Sequence, residues 1–302
     1  MDTPPLTLEE ALVLYRMEFL SARNFTELTR ITYMRDLREV IDYLTTTGHL
    51  HQPGQVSRLH LEAFLAALDR RQLSGNYRRR KVAAIRSFFA FCTDRGFSQT
   101  NSTLKLIPPE REHKEPRYLS ETEYKRLTDA VRFHPRDAAI IEVLLQTGMR
   151  LSEICRLRTL DVQLPEKARI TADPGNIGQV TIAGKGRKQR TVTLNWKACQ
   201  ALKAYYAVRP DSPYPEIFIT KYQRPIGPRS VEKVVGKYLD QAGIEGATVH
   251  TMRHTFATAH VRKKTDLKVV QTALGHANIA TTSRYVGLVR EEMNKQLQEN
   301  AL

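Results

Sequence analysis

Apolar residues recur every three or four positions through the first third of the chain, which is the spacing of a helix with one buried face. The pattern predicts helices over about residues 8–22 and 27–46, a third that begins after Ser57, and a fourth from about Ser74 to Thr93. Short connections join these segments. Four amphipathic helices joined in this way predict a small helical bundle.

The residues from 107 to 117 interrupt this periodicity. Their sequence, I-P-P-E-R-E-H-K-E-P-R, combines three prolines with many charged side chains and offers no face that could be buried. We interpret residues 108–117 as an extended linker stiffened by proline. The chain is long enough for two domains with separate cores, which we place at residues 1–107 and 118–302.

The second domain is predicted to combine helices with a small sheet. Short β-type runs, V-Q-L, A-R-I-T, Q-V-T-I and T-V-T-L, lie between residues 161 and 194. The G-K-G sequence at 184–186 joins the last two runs as a hairpin loop, and the stretch at 172–179 lengthens the first connection. Helices are predicted over about residues 120–131, 136–146, 151–157, 196–208 and 229–242, and around residue 250. The fold class is therefore mainly α with a small antiparallel β-sheet: an N-terminal helical bundle and an α+β domain.

The chain is basic in both halves. Lys and Arg number 47 against 32 Asp and Glu, for a formal net charge of +15. Residues 1–107 carry 15 basic and 11 acidic side chains, and the remainder carries 32 and 21. With 41% hydrophobic residues the composition is that of a globular protein. The charge favours a polyanionic partner.

A run of basic residues without an acidic one extends from the end of the third predicted helix into the fourth. Its members are Arg70, Arg71, Arg78, Arg79, Arg80, Lys81 and Arg86. A solvated helix face would have the same composition. The basic charge of the whole chain favours contacts to DNA phosphates instead.

Cysteine spacing and the N-terminal sequence exclude several classes of protein. Cys92, Cys155 and Cys199 lie far apart, without the spacing of a metal site or a disulfide framework. The first residues lack the basic and apolar regions of a signal peptide, and no apolar run approaches membrane-spanning length. We expect a cytoplasmic protein that needs no metal and no other cofactor.

The most informative stretch lies between His250 and Tyr285. His250 and Arg253 are three residues apart and project from one face of a helix. Gly275 is the expected stop of a short helix, and His276 follows it directly. Taken singly, each residue has an ordinary interpretation, as a surface or capping histidine or a packing tyrosine. Together, these donors suit chemistry on a phosphodiester, whose non-bridging oxygens gain charge during the reaction, and the phenol would be the nucleophile.

These residues resemble a known family. The sequences H-T-M-R-H-T-F-A-T and A-L-G-H-A-N-I-A-T-T, with the tyrosine that follows, are similar to the C-terminal signature of the tyrosine recombinases, the phage-integrase and Xer-type enzymes. Upstream, T-G-M-R-L-S-E-I at 147–154 and G-K-G-R-K-Q-R at 184–190 resemble the other two boxes of the family. All four occur in family order within the second half of the chain, whereas the first half matches only in general character.

The resemblance implies how the scissile phosphate would be held. Arg150 and Arg253 would grip its non-bridging oxygens, a task that suits a planar guanidinium, and His276 would donate to one of them. Glu153 lies three residues after Arg150 on the same helical face and is expected to orient the site, although an exposed helix acid would look the same. Three nearby basic residues resemble phosphate contacts: Arg187, Lys188 and Arg190.

The resemblance also implies the course of the reaction. Tyr285 would attack the phosphate, forming a 3′-phosphotyrosyl bond while the 5′-hydroxyl leaves. Lys185 would protonate the departing oxygen as a general acid, and His250 would assist proton transfer at Tyr285. The covalent bond stores the energy for rejoining, so neither ATP nor a metal is implied. Two rounds of exchange through a Holliday junction would recombine two duplexes.

The resemblance further implies an assembly on double-stranded DNA. The two domains would form a C-shaped clamp, with the helical bundle closing over one side of the duplex. The amphipathic segment after Tyr285, V-G-L-V-R-E-E-M-N-K-Q-L-Q-E-N-A-L, either packs on its own domain or docks on a neighbouring subunit. Docking would couple four protomers in a homo-tetramer, or in an assembly with a related recombinase.

Two other functions stay open at this point. A type IB topoisomerase-like enzyme would share the chemistry and differ in assembly, and a catalytically silent DNA-binding regulator would keep the fold alone. The target DNA sequence is set by the side chains that reach base edges in the grooves. Resolution of chromosome or plasmid dimers and integration or excision of a mobile element use the same active site, so both roles stay open.

Overall fold

The computed structural model describes residues 6–110, 115–166, 177–183, 189–275 and 280–299. The chain divides into two compact units, Met1–Lys114 and Glu115–Leu302. The division falls inside the stretch interpreted as a linker from its sequence. Each unit has its own hydrophobic core.

The N-terminal unit is helical throughout its regular structure. Its elements are α1 (Leu8–Leu14), which continues as a π-helical segment (Tyr15–Leu20), α2 (Glu27–Thr46), α3 (Arg58–Arg70) and α4 (Gly75–Asp94). Thr7 caps α1 in a capping box with Glu10. The first predicted helix therefore exists, but its second half is π-helical. The four predicted amphipathic helices form the expected core around Leu37, Phe64 and Phe88.

In its described residues, the second unit has eight helices and one small sheet. Its helices are α5 (Glu121–Val131), α6 (Pro135–Thr147), α7 (Leu151–Cys155), α8 (Trp196–Tyr206), α9 (Pro228–Gln241), α10 (Val249–Arg262), α11 (Leu267–Leu274) and α12 (Ala280–Glu299). Its strands are β1 (Val162–Gln163), β2 (Gly178–Ala183) and β3 (Gln189–Leu194), antiparallel in the order β1-β2-β3. The predicted fold class is confirmed. The A-R-I-T run and the G-K-G loop lie outside the described residues.

Helix α6 is the central element of the second unit, with an almost continuous run of buried residues from Ala139 to Leu145. It ends because Gly148 adopts a left-handed conformation with φ of 59°, which side chains other than glycine rarely adopt. A Cβ atom on Gly148 would lie 2.8 Å from both Phe256 and Leu274. Gly148 therefore fixes how closely α10 and α11 approach the end of α6.

Helices α10, α11 and α12 enclose a smaller apolar cluster beside the main core. Its buried members are Phe256, Ala257, Val270, Leu274 and Tyr285. The tyrosine ring is therefore a packing element of this corner of the unit. Within the described ranges, no helix combines the length and the apolar character needed to cross a membrane.

We expect Gly148→Ala to lower the free energy of unfolding by about 2–4 kcal/mol, because the new methyl group combines left-handed strain with overpacking against Phe256 and Leu274. Urea titration followed by circular dichroism measures the change. The matched control is Gly236→Ala inside α9, where a Cβ meets nothing within 4 Å. This control should gain about 0.5–1 kcal/mol, and equal effects at the two positions would contradict the assignment to Gly148.

Candidate active site

Arg150 stands at the start of α7, where it is the N-cap residue. Its Nη1 donates to Oε1 of Glu153 at 2.8 Å, and its Nη2 donates to the carbonyl oxygen of Gly275 at 2.9 Å. The backbone N–H of Arg150 donates to the other carboxylate oxygen of Glu153 at 2.8 Å. The side chain keeps 40% of its surface exposed. Arg150 is thus oriented by the protein and still reachable from solvent.

Glu153 joins Arg150 to a second arginine. Arg190, on β3, donates to the two oxygens of the Glu153 carboxylate at 3.0 and 2.7 Å. Burial alone would raise the pKa of Glu153, but hydrogen bonds from Arg190 and Arg150 outweigh burial and hold this pKa below its ordinary value. Glu153 is therefore a charged, buried carboxylate between two guanidinium groups.

The prediction that Arg190 contacts a DNA phosphate requires correction. Its side chain is only 7% exposed, and its Nε donates to the carbonyl oxygen of Ala273 at 2.7 Å. A buried guanidinium needs partners inside the protein, and Arg190 has them in Glu153 and Ala273. A count of basic residues along a strand carries no information about burial. Arg187 and Lys188, predicted with it, lie outside the described residues.

Arg253 lies on α10 and is buried, with 5% of its surface exposed. Its Nη1 donates to the carbonyl oxygen of Gly148 at 2.5 Å, and its Nη2 donates to that of Leu274 at 2.7 Å. Burial lowers the pKa of Arg253 to about 10, with a further contribution from the nearby charge of Arg150. The guanidinium therefore remains protonated at neutral pH.

Three arginines thus converge on consecutive carbonyl groups at the C-terminal end of α11. The pairs are Arg190 with Ala273, Arg253 with Leu274, and Arg150 with Gly275. Carbonyl groups at a helix C-terminus have no partner within the helix and carry partial negative charge, so they suit cationic donors. The end of α11 therefore brings together side chains from β3, α10 and α7.

Tyr285 on α12 is almost completely buried, with 1% of its surface exposed. Its hydroxyl group lies 2.8 Å from Nδ1 of His254 on α10. Burial raises the pKa of Tyr285, and the positive charges of Arg253 and Arg284 partly offset this effect. Tyr285 therefore lies near Arg253, as the family pattern implies.

His254 was not singled out from the sequence, although it is the last residue of H-T-M-R-H. The residue predicted to lie beside the tyrosine is His250, which is exposed on α10. The signal that identifies His254 is its spacing, because a residue four positions after His250 lies on the same helical face. Lys185 and His276 lie outside the described residues, so their placement stays a prediction.

The basic run of the N-terminal unit has partners inside that unit. Lys81 is fully buried, and its Nζ lies 3.1 Å from Oδ1 of Asp36 and 2.5 Å from Oε2 of Glu39. The prediction that Lys81 contacts DNA is therefore wrong, because the side chain has no exposed surface. The other members remain at least partly exposed: Arg70, Arg71, Arg78, Arg79, Arg80 and Arg86.

Most of these exposed arginines also have protein partners. Arg71 pairs with Glu39 at 3.1 Å, and Arg78 pairs with Asp69 at 2.7 Å. Arg80 pairs with the buried Asp36. Two others donate to the chain that follows the bundle: Arg79 to the carbonyl oxygen of Pro109 and Arg86 to that of Leu106. Across the described residues, we find no group of three or more His, Cys, Asp or Glu side chains that could hold a metal ion.

Comparison with known proteins shows which family the chain matches. The chain matches the model of the phage integrase family over residues 117–292 and that of the phage integrase N-terminal SAM-like domain over residues 12–96. A tyrosine recombinase of Pseudothermotoga lettingae is 31% identical, over 93% of this chain and 96% of that protein. Tyrosine recombinase XerC of Natranaerobius thermophilus is also 31% identical, over 92% of this chain and 94% of that protein.

Solved structures agree in fold. The XerH site-specific recombinase bound to palindromic difH substrate has a TM-score of 0.75 at 22% identity, over 93% of this chain and 83% of that chain. A lambda integrase tetramer bound to a Holliday junction has a TM-score of 0.74 at 16% identity, over 93% and 77%. The resemblance noted in the sequence is thereby confirmed. The chain belongs to the phage integrase family, the family of the tyrosine recombinases.

Proposed function

We propose that this protein is a site-specific DNA recombinase that cleaves and rejoins DNA through a phosphotyrosyl bond formed by Tyr285. One observation carries the proposal: Arg150, Arg253 and Tyr285, from three helices, are brought together around the end of α11. Family membership supports the same chemistry. The Tyr285 hydroxyl loses its proton with the assistance of His250, and its oxygen bonds to phosphorus at the 3′ side. The bond from phosphorus to the 5′ oxygen breaks, and that oxygen takes a proton from Lys185.

The two arginines stabilise the charge on the phosphate as it reacts. A guanidinium has five N–H donors, and the two backbone carbonyls bound by Arg253 use two of them. Three donors remain for a non-bridging oxygen. Arg150 likewise keeps donors beyond those used by Glu153 and Gly275. Preorganised donors of this kind act without reorganising during the reaction, which is the main source of such catalysis.

We assign proton transfer to the leaving 5′ oxygen to Lys185, and the donor on the opposite side of the phosphate to His276. Both assignments rest on the family motif. His250, on the exposed face of α10, assists proton transfer at Tyr285. Glu153 and Arg190 orient Arg150 without touching the DNA, because both are buried and bonded to each other. The chemistry of these residues uses neither ATP nor a metal ion.

The N-terminal unit, including residues 1–107, supplies a second DNA-binding surface in this proposal. The segment 108–117 links it to the catalytic part at 118–302, and the two units clamp the duplex. The exposed arginines of α3 and α4 contact phosphates. Relatives named XerC favour an Xer-like role in a cytoplasmic protein. In this role the protein resolves DNA dimers through a Holliday junction. It acts as a tetramer whose subunits are coupled by the tail in α12. Integration or excision of a mobile element uses the same chemistry.

A suicide substrate tests the reaction itself. A nicked duplex that carries the recombination site flanking the gene should yield a covalent protein–DNA band on a denaturing gel, without added metal or ATP. Tyr285→Phe should abolish the band and retain DNA binding, because the ring stays in the apolar cluster while the nucleophilic oxygen is removed.

Three other outcomes would contradict the proposal. A covalent band with Tyr285→Phe would identify a different nucleophile. Tight binding without any band from the wild-type protein, with every DNA partner present, would favour a DNA-binding regulator. Efficient relaxation of a supercoiled plasmid that lacks a recombination site would favour a topoisomerase.

The buried Glu153–Arg190 pair makes a prediction about stability and cleavage together. Glu153→Met should lower the free energy of unfolding by about 3–5 kcal/mol, because it leaves the buried Arg190 without its carboxylate. Arg190→Met should lower it by less, because Glu153 keeps its hydrogen bonds from Arg150. The double variant should recover most of this loss. Its cleavage should nevertheless remain about a hundred-fold slower than that of the wild type, since Arg150 has lost the carboxylate that orients it.

Urea unfolding and single-turnover cleavage measure the two effects separately. The control is Glu62→Met on α3, which removes an exposed pair with Arg58 at 3.4 Å. This control should change stability by less than about 0.5 kcal/mol. Wild-type cleavage by the double variant would show that Glu153 does not orient Arg150.

The basic run makes a prediction about DNA binding. Arg70→Ala should reduce the slope of log affinity against log salt concentration by about 1, because one phosphate contact is lost. Lys81→Met should leave that slope unchanged and destabilise the unit by about 3 kcal/mol, since Asp36 is buried beside it. Fluorescence anisotropy and urea unfolding measure the two quantities. A reduced slope for Lys81→Met at unchanged stability would restore Lys81 as a DNA contact.

A further inference from the structure

The hydrogen bond between His254 and Tyr285 ties two helices together beside an arginine of the site. Tyr285 lies on α12, and His254 lies on α10 directly after Arg253. The Oη atom is 2.8 Å from Nδ1, and the two ring centroids are 5.7 Å apart with their planes at 49°. The tie therefore fixes the phenol oxygen relative to the helix that carries Arg253.

We infer that His254 is a positioning residue for the nucleophile: it accepts the hydrogen bond of the Tyr285 hydroxyl and holds the phenol oxygen in place for attack on phosphorus. The inference rests on the proposed recombinase function and adds a residue to it. When the hydroxyl donates to Nδ1, its lone pairs point elsewhere and stay available to phosphorus. Packing by Phe256 and Leu274 holds the ring, but the hydrogen bond fixes the oxygen.

The direction of this hydrogen bond follows from the surroundings of the two groups. Burial, with smaller contributions from the nearby His250, Arg284 and Arg253, lowers the pKa of His254 to about 4. Burial raises the pKa of Tyr285. Transfer of the phenol proton to this imidazole is therefore disfavoured, and the proton that Tyr285 loses on attack leaves with the assistance of His250 instead. The phenol donates, the neutral imidazole accepts at Nδ1, and its own proton resides on Nε2.

The same comparison separates positioning from general base catalysis. An effective base has a pKa close to the pH at which it works, and His254 is far below that range. A residue that only accepts a hydrogen bond can be replaced by another acceptor, whereas a base cannot. The two roles therefore respond differently to substitution by asparagine.

The experiment uses the full chain and the suicide duplex at saturating concentration, with single-turnover rates of covalent complex formation measured from pH 6 to 9. His254→Asn keeps an acceptor oxygen near the position of Nδ1, and His254→Leu has a similar shape without an acceptor. His254→Phe is a second variant without an acceptor that keeps a ring, in case the leucine variant does not fold. Urea unfolding and DNA affinity are measured for each.

We expect His254→Asn to react within about three-fold of the wild type, with the same pH profile. His254→Leu and His254→Phe should react about ten-fold more slowly at every pH and bind DNA equally well, because one hydrogen bond to the nucleophile is missing. The control pair is His260→Asn and His260→Leu. His260 is a histidine on the same helix that contacts Phe256 and Thr265, and both variants should react like the wild type.

Three results would overturn the inference. Equal losses in the asparagine, leucine and phenylalanine variants, with a changed pH profile, would make His254 a general base. Wild-type rates in all of them would mean that packing alone places the phenol. Equal losses in the His260 pair would show that replacing any histidine of α10 disturbs the reaction. A wild-type protein that forms no covalent complex would instead refute the proposed function, which Tyr285→Phe tests separately.

Discussion

The arrangement of the candidate site depends on the carbonyl groups that α11 leaves without helical partners at its C-terminal end. Three arginines from separate elements occupy them in consecutive order: Arg190 at Ala273, Arg253 at Leu274 and Arg150 at Gly275. The left-handed Gly275, with φ of 63°, ends the helix where these carbonyls are needed. The end of one helix thus provides an acceptor for each of three cations.

The partial charges of carbonyl groups do not balance the positive charge of three arginines close together. Glu153 contributes one full negative charge beside them. It is bonded to Arg150 and Arg190, and its pKa is held below the ordinary value. The N-terminal unit solves the same problem with Asp36, which balances Lys81 inside a helical bundle. In both units, the desolvation cost of a cation is offset only because an anion is buried with it.

Most of the fold was predictable because periodicity and helix stops are local signals: α2, α4 and α6 begin and end close to the residues that the pattern indicated. Sequence resemblance identified Arg150, Arg253 and Tyr285. The errors at Lys81 and Arg190 share one physical cause, since a charged residue in a basic run has the same local sequence whether it faces solvent or a buried carboxylate. His254 was missed because its partner, Tyr285, is far away in sequence and meets it only after α12 has packed on α10.

Gly148 links the main core to the candidate site in two ways, through its carbonyl oxygen and through its lack of a Cβ atom. Its carbonyl oxygen accepts from Arg253, while the missing Cβ lets Phe256 and Leu274 approach the end of α6. Leu274 in turn offers its own carbonyl to the same arginine. The separation between two helices and the reach of one guanidinium are therefore set by the same few atoms. Geometry therefore restricts this turn to glycine, because a Cβ atom at position 148 would meet Phe256 and Leu274.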